Sequence, residues 1–249
     1  GLENIGAPCN IDGADYPMHG RIRTTPAEHF SSDAFWDGDK YRVKISGEMR
    51  EAALFGENLV LRRSIETIYG EKSFTLTDEF ENESFRDEPL MLLYHINMGW
   101  PFLNENTKFY IPTSKVTARD ENAKGHEDRY NLMEAPKDNE PEYVFIHEIK
   151  SDSDKNTEVL VVNPELKLGL KISWNINFLP HFMQWKSIAS GDYVVGLEPA
   201  NSLVHGRKWY GEKVHKLAPF AKEKNILTFT VLDGEEEINE AVKIFTSKY

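Results

Sequence analysis

The chain has 249 residues, with 29 basic against 41 acidic side chains and a formal net charge of −12. That length can bury one sizeable core, and all-β chains of this size commonly form a single domain, so residues 1–249 are expected to be one domain. The acidic balance excludes the dense basic footprint that nucleic acid or an anionic membrane would need.

A single cysteine, Cys9, rules out an intrachain disulfide, a cysteine-based zinc site and a CxxC redox pair. No apolar run approaches the length of a membrane-spanning helix and no secretory signal is visible, so the cytoplasm is the expected location.

In chain order, residues 41–45, 59–68, 74–80 and 166–172 approach strict alternation of apolar and polar side chains and predict strands with one wet face. Residues 90–96, 143–149, 159–162, 193–197 and 226–232 are more continuously apolar, as strands covered on both faces are. Turn signals fall between them, including Asp37-Gly38-Asp39, Tyr69-Gly70-Glu71 and the polar stretch 151–156. Residues 113–140 are polar without clear periodicity and predict a long surface excursion. Only residues 235–245 read as helix, with Ile238, Val242 and Phe245 on one face and glutamates in the first turn, where the helix dipole favours them. The pattern as a whole predicts an all-β antiparallel sandwich ending in a short helix.

Common catalytic signatures are missing: there is no Gly-x-Ser-x-Gly elbow, P-loop, Gly-x-Gly-x-x-Gly turn or His-Glu-x-x-His pair. The eight histidines, His19, His29, His95, His126, His147, His181, His205 and His215, lack close ligand spacing, so a dedicated metal site is not expected. Two ionisable residues stand out instead, because they lie inside apolar runs: His95 after Leu90-Met91-Leu92-Leu93-Tyr94, and Glu198 after Tyr193-Val194-Val195-Gly196-Leu197. A side chain stripped of water there must find a partner, shift its pKa or face a cavity. The two make an acid/base candidate, against the plainer reading of a carbonyl-bonded buried histidine and a glutamate turned to solvent at a strand end.

Three segments combine polar groups with aromatic or glycine-containing turns: Tyr16-Pro17-Met18-His19-Gly20-Arg21-Ile22-Arg23, Tyr94-His95-Ile96-Asn97-Met98-Gly99-Trp100-Pro101-Phe102, and Gly196-Leu197-Glu198-Pro199-Ala200-Asn201. Imidazole, carboxylate, guanidinium, amide and indole together suit a sugar, whose hydroxyls need donors and acceptors and whose ring face packs on aromatics. If the first segment stays extended, alternation puts Arg21 and Arg23 on the side of His19. Trp100 and Phe102 read either as a stacking platform or as core. Lys186, after Gln184-Trp185, reads either as a contact for an anionic sugar group or as a solvated surface lysine.

In the order and spacing of these motifs, with Phe55-Gly56-Glu57-Asn58-Leu59, Gln184-Trp185-Lys186 and Leu217-Ala218-Pro219, the chain resembles the aldose 1-epimerase, or galactose mutarotase-like, superfamily. The similarity runs from Gly1 to about Val231, and it is to the branch with His-Gly-Arg-Ile and Gly-Leu-Glu-Pro motifs. It implies a galactose mutarotase-like β-supersandwich, with further strands expected ahead of the segment that opens here. It also implies catalytic roles for His95 as general acid and Glu198 as general base. Substrate contacts are implied for His19, Arg21, Arg23, Asn97, Trp100, Gln184 and Lys186, with a small carbohydrate as partner and no cofactor. The Asp that classical galactose mutarotases add to the site has no counterpart that can be placed. Non-catalytic alternatives are a carbohydrate-binding or regulatory β-sandwich module, and an accessory domain of a lyase or glycoside hydrolase.

Overall fold

A computed structural model describes residues 1–249. In chain order the strands are β1 (Cys9–Ile11), β2 (Ala14–Tyr16), β3 (Glu28–Asp37), β4 (Lys40–Ala52), β5 (Asn58–Ile68), β6 (Ser73–Asn82), β7 (Glu88–Pro89), β8 (Ile96–Gly99), β9 (Lys108–Tyr110), β10 (Thr113–Ala118), β11 (Tyr143–Ile149), β12 (Asn156–Asn163), β13 (Leu168–Asn175), β14 (His181–Ser187) and β15 (Val194–Ala200). The short helix α1 (Arg207–Tyr210), β16 (Lys216–Leu217), β17 (Lys222–Asp233) and the helix α2 (Glu235–Lys248) complete the chain. No helix is long and apolar enough to cross a membrane.

The chain forms two compact units. The first comprises Gly1–Leu93 and Ala200–Thr228. Its main feature is the antiparallel run β3-β4-β5-β6, in which Arg62 lies opposite Glu48 and Glu79. Leu59 and Leu61 on β5 and Phe80 on β6 are buried, whereas Arg62 on the other face pairs with Glu48 at 2.9 Å and Glu83 at 3.2 Å. Val60 between the two leucines is buried as well, and Val43 and Ile45 of β4 are exposed, so the strands form as predicted but without a single wet face.

The second unit comprises Tyr94–Pro199 and Phe229–Tyr249. A five-stranded antiparallel sheet in the order β10-β11-β14-β15-β8 packs in it with strands β13-β12-β9. Trp174 of β13 stacks on Phe182 of β14 with ring centroids 5.5 Å apart. The run 159–162 is buried on both faces: Leu160 and Val162 lie under Ile238 and Phe245 of α2, while Val159 and Val161 point the other way. That double cover explains why the sequence shows no alternation there.

Three expectations are corrected. Residues 90–95 are not a strand, although Leu90, Met91 and Leu92 are buried. Their amides donate to irregular partners: Leu90 to the carbonyl of His215 (2.9 Å), Met91 to that of Leu2 (2.8 Å) and Leu92 to Oδ1 of Asn201 (2.7 Å). The polar stretch 113–140 opens with β10, whose polar residues suit the edge of the five-stranded sheet. The segment after His19 is not extended, because His19 and Gly20 take φ of 58° and 72° and Ile22–Thr24 form a 3-10 turn. The alternation argument for Arg21 and Arg23 therefore does not apply.

Candidate active site

The site is built on β15 and β8. Gly196 lies opposite Asn97 and Leu197 opposite Ile96, so the next step of the ladder brings Glu198 level with His95, and the amide of Tyr94 closes it on the carbonyl of Pro199 (3.0 Å). Val195 and Leu197 point into the core, which turns Gly196 and Glu198 to the opposite face with Asn97 and His95. A Cβ at Gly196 would lie 2.9 Å from Cε1 of His95, 3.1 Å from Oδ1 of Asn97 and 3.1 Å from Oε1 of Glu198. Glycine is thus the residue that lets the three side chains converge.

Nε2 of His95 lies 3.1 Å from Oε1 of Glu198. On the other side of the ring, Nδ1 lies 2.6 Å from Oδ1 of Asn97. An amide oxygen only accepts, so Nδ1 carries a hydrogen and Nε2 is left to face the carboxyl group. Burial pushes the Glu198 carboxyl up to about 8, with Arg119 opposing the shift and Glu142 adding to it. Burial also lowers the His95 pKa below its ordinary value, against the hydrogen bond to Asn97. Between those two titrations the pair holds one proton, on the line from Nε2 to Oε1. Glu198 is almost fully buried and His95 is partly open, so the pair is reachable from the imidazole side.

Three further residues share this neighbourhood and were not singled out as site residues from sequence. The Trp185 indole packs at 5.5 Å against the His95 ring, at an interplanar angle of 65°. Its Nε1 donates to Oε2 of Glu142 at 2.8 Å. Arg119, whose amide donates to the carbonyl of Val144, is gripped by Asp120 through Nε (2.9 Å) and Nη2 (2.6 Å) and lies 3.7 Å from Glu142. Val144 is in turn paired with Trp185, so Arg119, Val144 and Trp185 line one face across three strands.

The remaining sequence candidates have their own surroundings. Gln184 and Lys186 flank Trp185 on β14 and therefore point the opposite way, into the interior. Gln184 donates through Nε2 to the carbonyl of Tyr130 (2.9 Å). Lys186 is 1% exposed, ion-pairs with Glu134 and donates to the carbonyls of Leu132 (2.8 Å) and Arg129 (3.2 Å). It is an internal staple for the loop that crosses beneath the sheet, which corrects the solvated-lysine reading. Trp100 stands just past β8 and is 76% exposed, which removes the core reading for it. In the first unit, His19 accepts the amide of Gly6 at Nδ1 (3.2 Å), Arg21 is held by Glu3 (3.0 Å) and by Glu57, and Arg23 is exposed.

The fold is that of galactose mutarotase-like proteins. A candidate aldose 1-epimerase from Klebsiella pneumoniae superposes with a TM-score of 0.92 at 25% identity, covering 98% of this chain and 64% of that one. A galactose mutarotase-like protein from Clostridium acetobutylicum gives 0.65 at 14% identity over 93% of this chain and 77% of its own. Galactose 1-epimerase from Lactobacillus acidophilus gives 0.59 at 11% identity over 94% and 78%. This chain thus spans about two thirds of the length of the Klebsiella protein. The chain belongs to the family described as a domain of unknown function, DUF4432, whose model matches residues 1–231. No curated protein gives a significant sequence match.

Proposed function

We propose that the protein is an aldose 1-epimerase, interconverting the anomers of an aldose or modified sugar through His95 and Glu198. The observation that carries this reading is the 3.1 Å approach of Nε2 of His95 to Oε1 of Glu198. The two oxygens on the anomeric carbon are geminal, so an acid and a base acting on them must be neighbours.

In the forward direction Glu198 takes the proton from the C1 hydroxyl while His95 gives one to the ring oxygen. The bond from C1 to the ring oxygen breaks and C1 becomes an aldehyde carbon. Rotation about the bond from C1 to C2 and reclosure, with the proton movements reversed, give the other anomer. A hydroxyl donating to Glu198 stabilises its carboxylate and moves the shared proton toward His95, so substrate sets the reactive arrangement. Asn97 holds the imidazole ring and its tautomer throughout. No cofactor enters these steps.

Residues 1–249 act in this reading as one galactose mutarotase-like domain in the cytoplasm. The single domain is supported by the way each unit is assembled from two separated stretches of chain. The test is anomer exchange by saturation-transfer NMR over neutral, phosphorylated and acidic sugars. Acceleration on any of them supports the reading and names the substrate class; acceleration on none, with binding intact, replaces it with a carbohydrate-binding module.

A further inference from the structure

The neighbours of the His95–Glu198 pair form a chain of contacts that the proposed reaction steps do not use. One carboxylate, Glu142, lies at its centre. Its Oε2 accepts the Trp185 indole N–H at 2.8 Å, and its Oε1 lies 3.7 Å from Nη2 of Arg119. Trp185 in turn packs on the His95 ring. We propose that Glu142 is a positioning residue, which fixes the indole against His95 and steadies the Arg119 guanidinium, and so sets how the pair shares its proton.

The charged groups of this unit that act on the pair come from two places: Arg119, held by Asp120, after β10, and Glu142 before β11. Arg119 draws the Glu198 carboxyl toward its ionised form and Glu142 opposes it, in keeping with the direction of each charge. Asp120 grips Arg119 through Nε (2.9 Å) and through Nη2 (2.6 Å), the nitrogen that also approaches Glu142, so the guanidinium cannot swing freely. Trp185 is the steric half of the device. Its indole N–H has an acceptor in Glu142 only, and the ring is thereby held edge-on to the imidazole.

The inference rests on the pair described above, but its test does not require turnover. The measurement is an NMR pH titration of the His95 ring Cε1–H and the carbon-13-labelled Glu198 carboxyl, in the full chain without sugar. Glu142→Gln keeps an acceptor for the indole and removes the charge, so the upper titration of the pair should fall by about 0.5 to 1 pH unit. Arg119→Gln should raise it by a similar amount. Glu142→Ala also frees the indole and should displace the His95 ring resonance, which Glu142→Gln should leave in place. An unmoved upper titration in Glu142→Gln or in Arg119→Gln, or a shift of both in one direction, would overturn the assignment; either variant alone suffices if the other does not fold. Normal anomer exchange with unmoved titrations would remove only the role of Glu142, whereas shifted titrations without exchange would remove only the epimerase reading.

Discussion

Nε2 of His95 and Oε1 of Glu198 stand 3.1 Å apart, and the two side chains, through Cε1 and Oε1, crowd the space that a side chain at Gly196 would occupy. An acid and a base so close titrate as a unit. With His95 lowered and Glu198 raised to about 8, the pair carries two protons in acid, one near neutrality and none in alkali. The doubly protonated form lacks a base and the empty form lacks an acid. The rate of anomer exchange, kcat/KM, should therefore follow a bell, with its alkaline limb near pH 8 and its acid limb below 6.5. A rate still rising above pH 9 to 10, well past the Glu198 titration, would contradict the shared proton.

Gly196→Ala tests the convergence itself. The new methyl would meet only side-chain ends, which can yield, so the melting temperature should change little. The displaced His95, Asn97 and Glu198 should cost about tenfold or more in kcat. Unchanged kinetics in a folded variant would mean that the three groups need not meet.

His147 gives a stability prediction. It is buried between Phe182 and Tyr130, with ring centroids at 5.5 and 5.2 Å, and burial lowers its pKa to about 3. The folded form therefore binds fewer protons than the unfolded one between about 3 and 6.5. Its contribution to stability is complete above 6.5 and is lost as the pH falls toward 3, with a slope of up to about 1.4 kcal/mol per pH unit. Denaturant melts at several pH values should show His147→Phe losing less stability on acidification than the native chain. Parallel curves for the two proteins would show that His147 does not drive the acid loss.

Lys186→Ala leaves Glu134 without its cation and the carbonyls of Leu132 and Arg129 without their donor. Breaking a buried pair in this way costs about 3 kcal/mol, to be read from urea unfolding. KM for the sugar should stay near its native value. A raised KM with full stability would instead make Lys186 a substrate contact.

Much of the fold was legible because most strands write their environment into their sequence. Residues 59–68 approach alternation in sequence and form β5, whereas 159–162 do not alternate and are covered twice. Residues 90–95 defeated the same rule, since burial is visible in composition but a carbonyl of Leu2 or an amide of Asn201 as hydrogen-bond partner is not. His95 and Glu198 stood out as ionisable groups in apolar surroundings, and Asn97 came with the motif resemblance. Arg119 and Glu142 were illegible, because only the pairing of β10 with β11 and of β11 with β14 brings them to Trp185. Trp185 was hidden for a related reason: with Gln184 and Lys186 read as substrate contacts, alternation turned the residue between them away from the site, and only their burial reverses that reading.

The central claim is that His95 and Glu198 exchange protons with a sugar, and Glu198→Gln tests it most directly. The variant keeps the shape of the side chain and removes its basicity. Saturation-transfer NMR on the best sugar should show exchange by the native chain and a loss of about two to four powers of ten in the variant, with sugar binding retained. Equal exchange in both proteins, or none in the native chain with binding unaffected by the substitution, would contradict it.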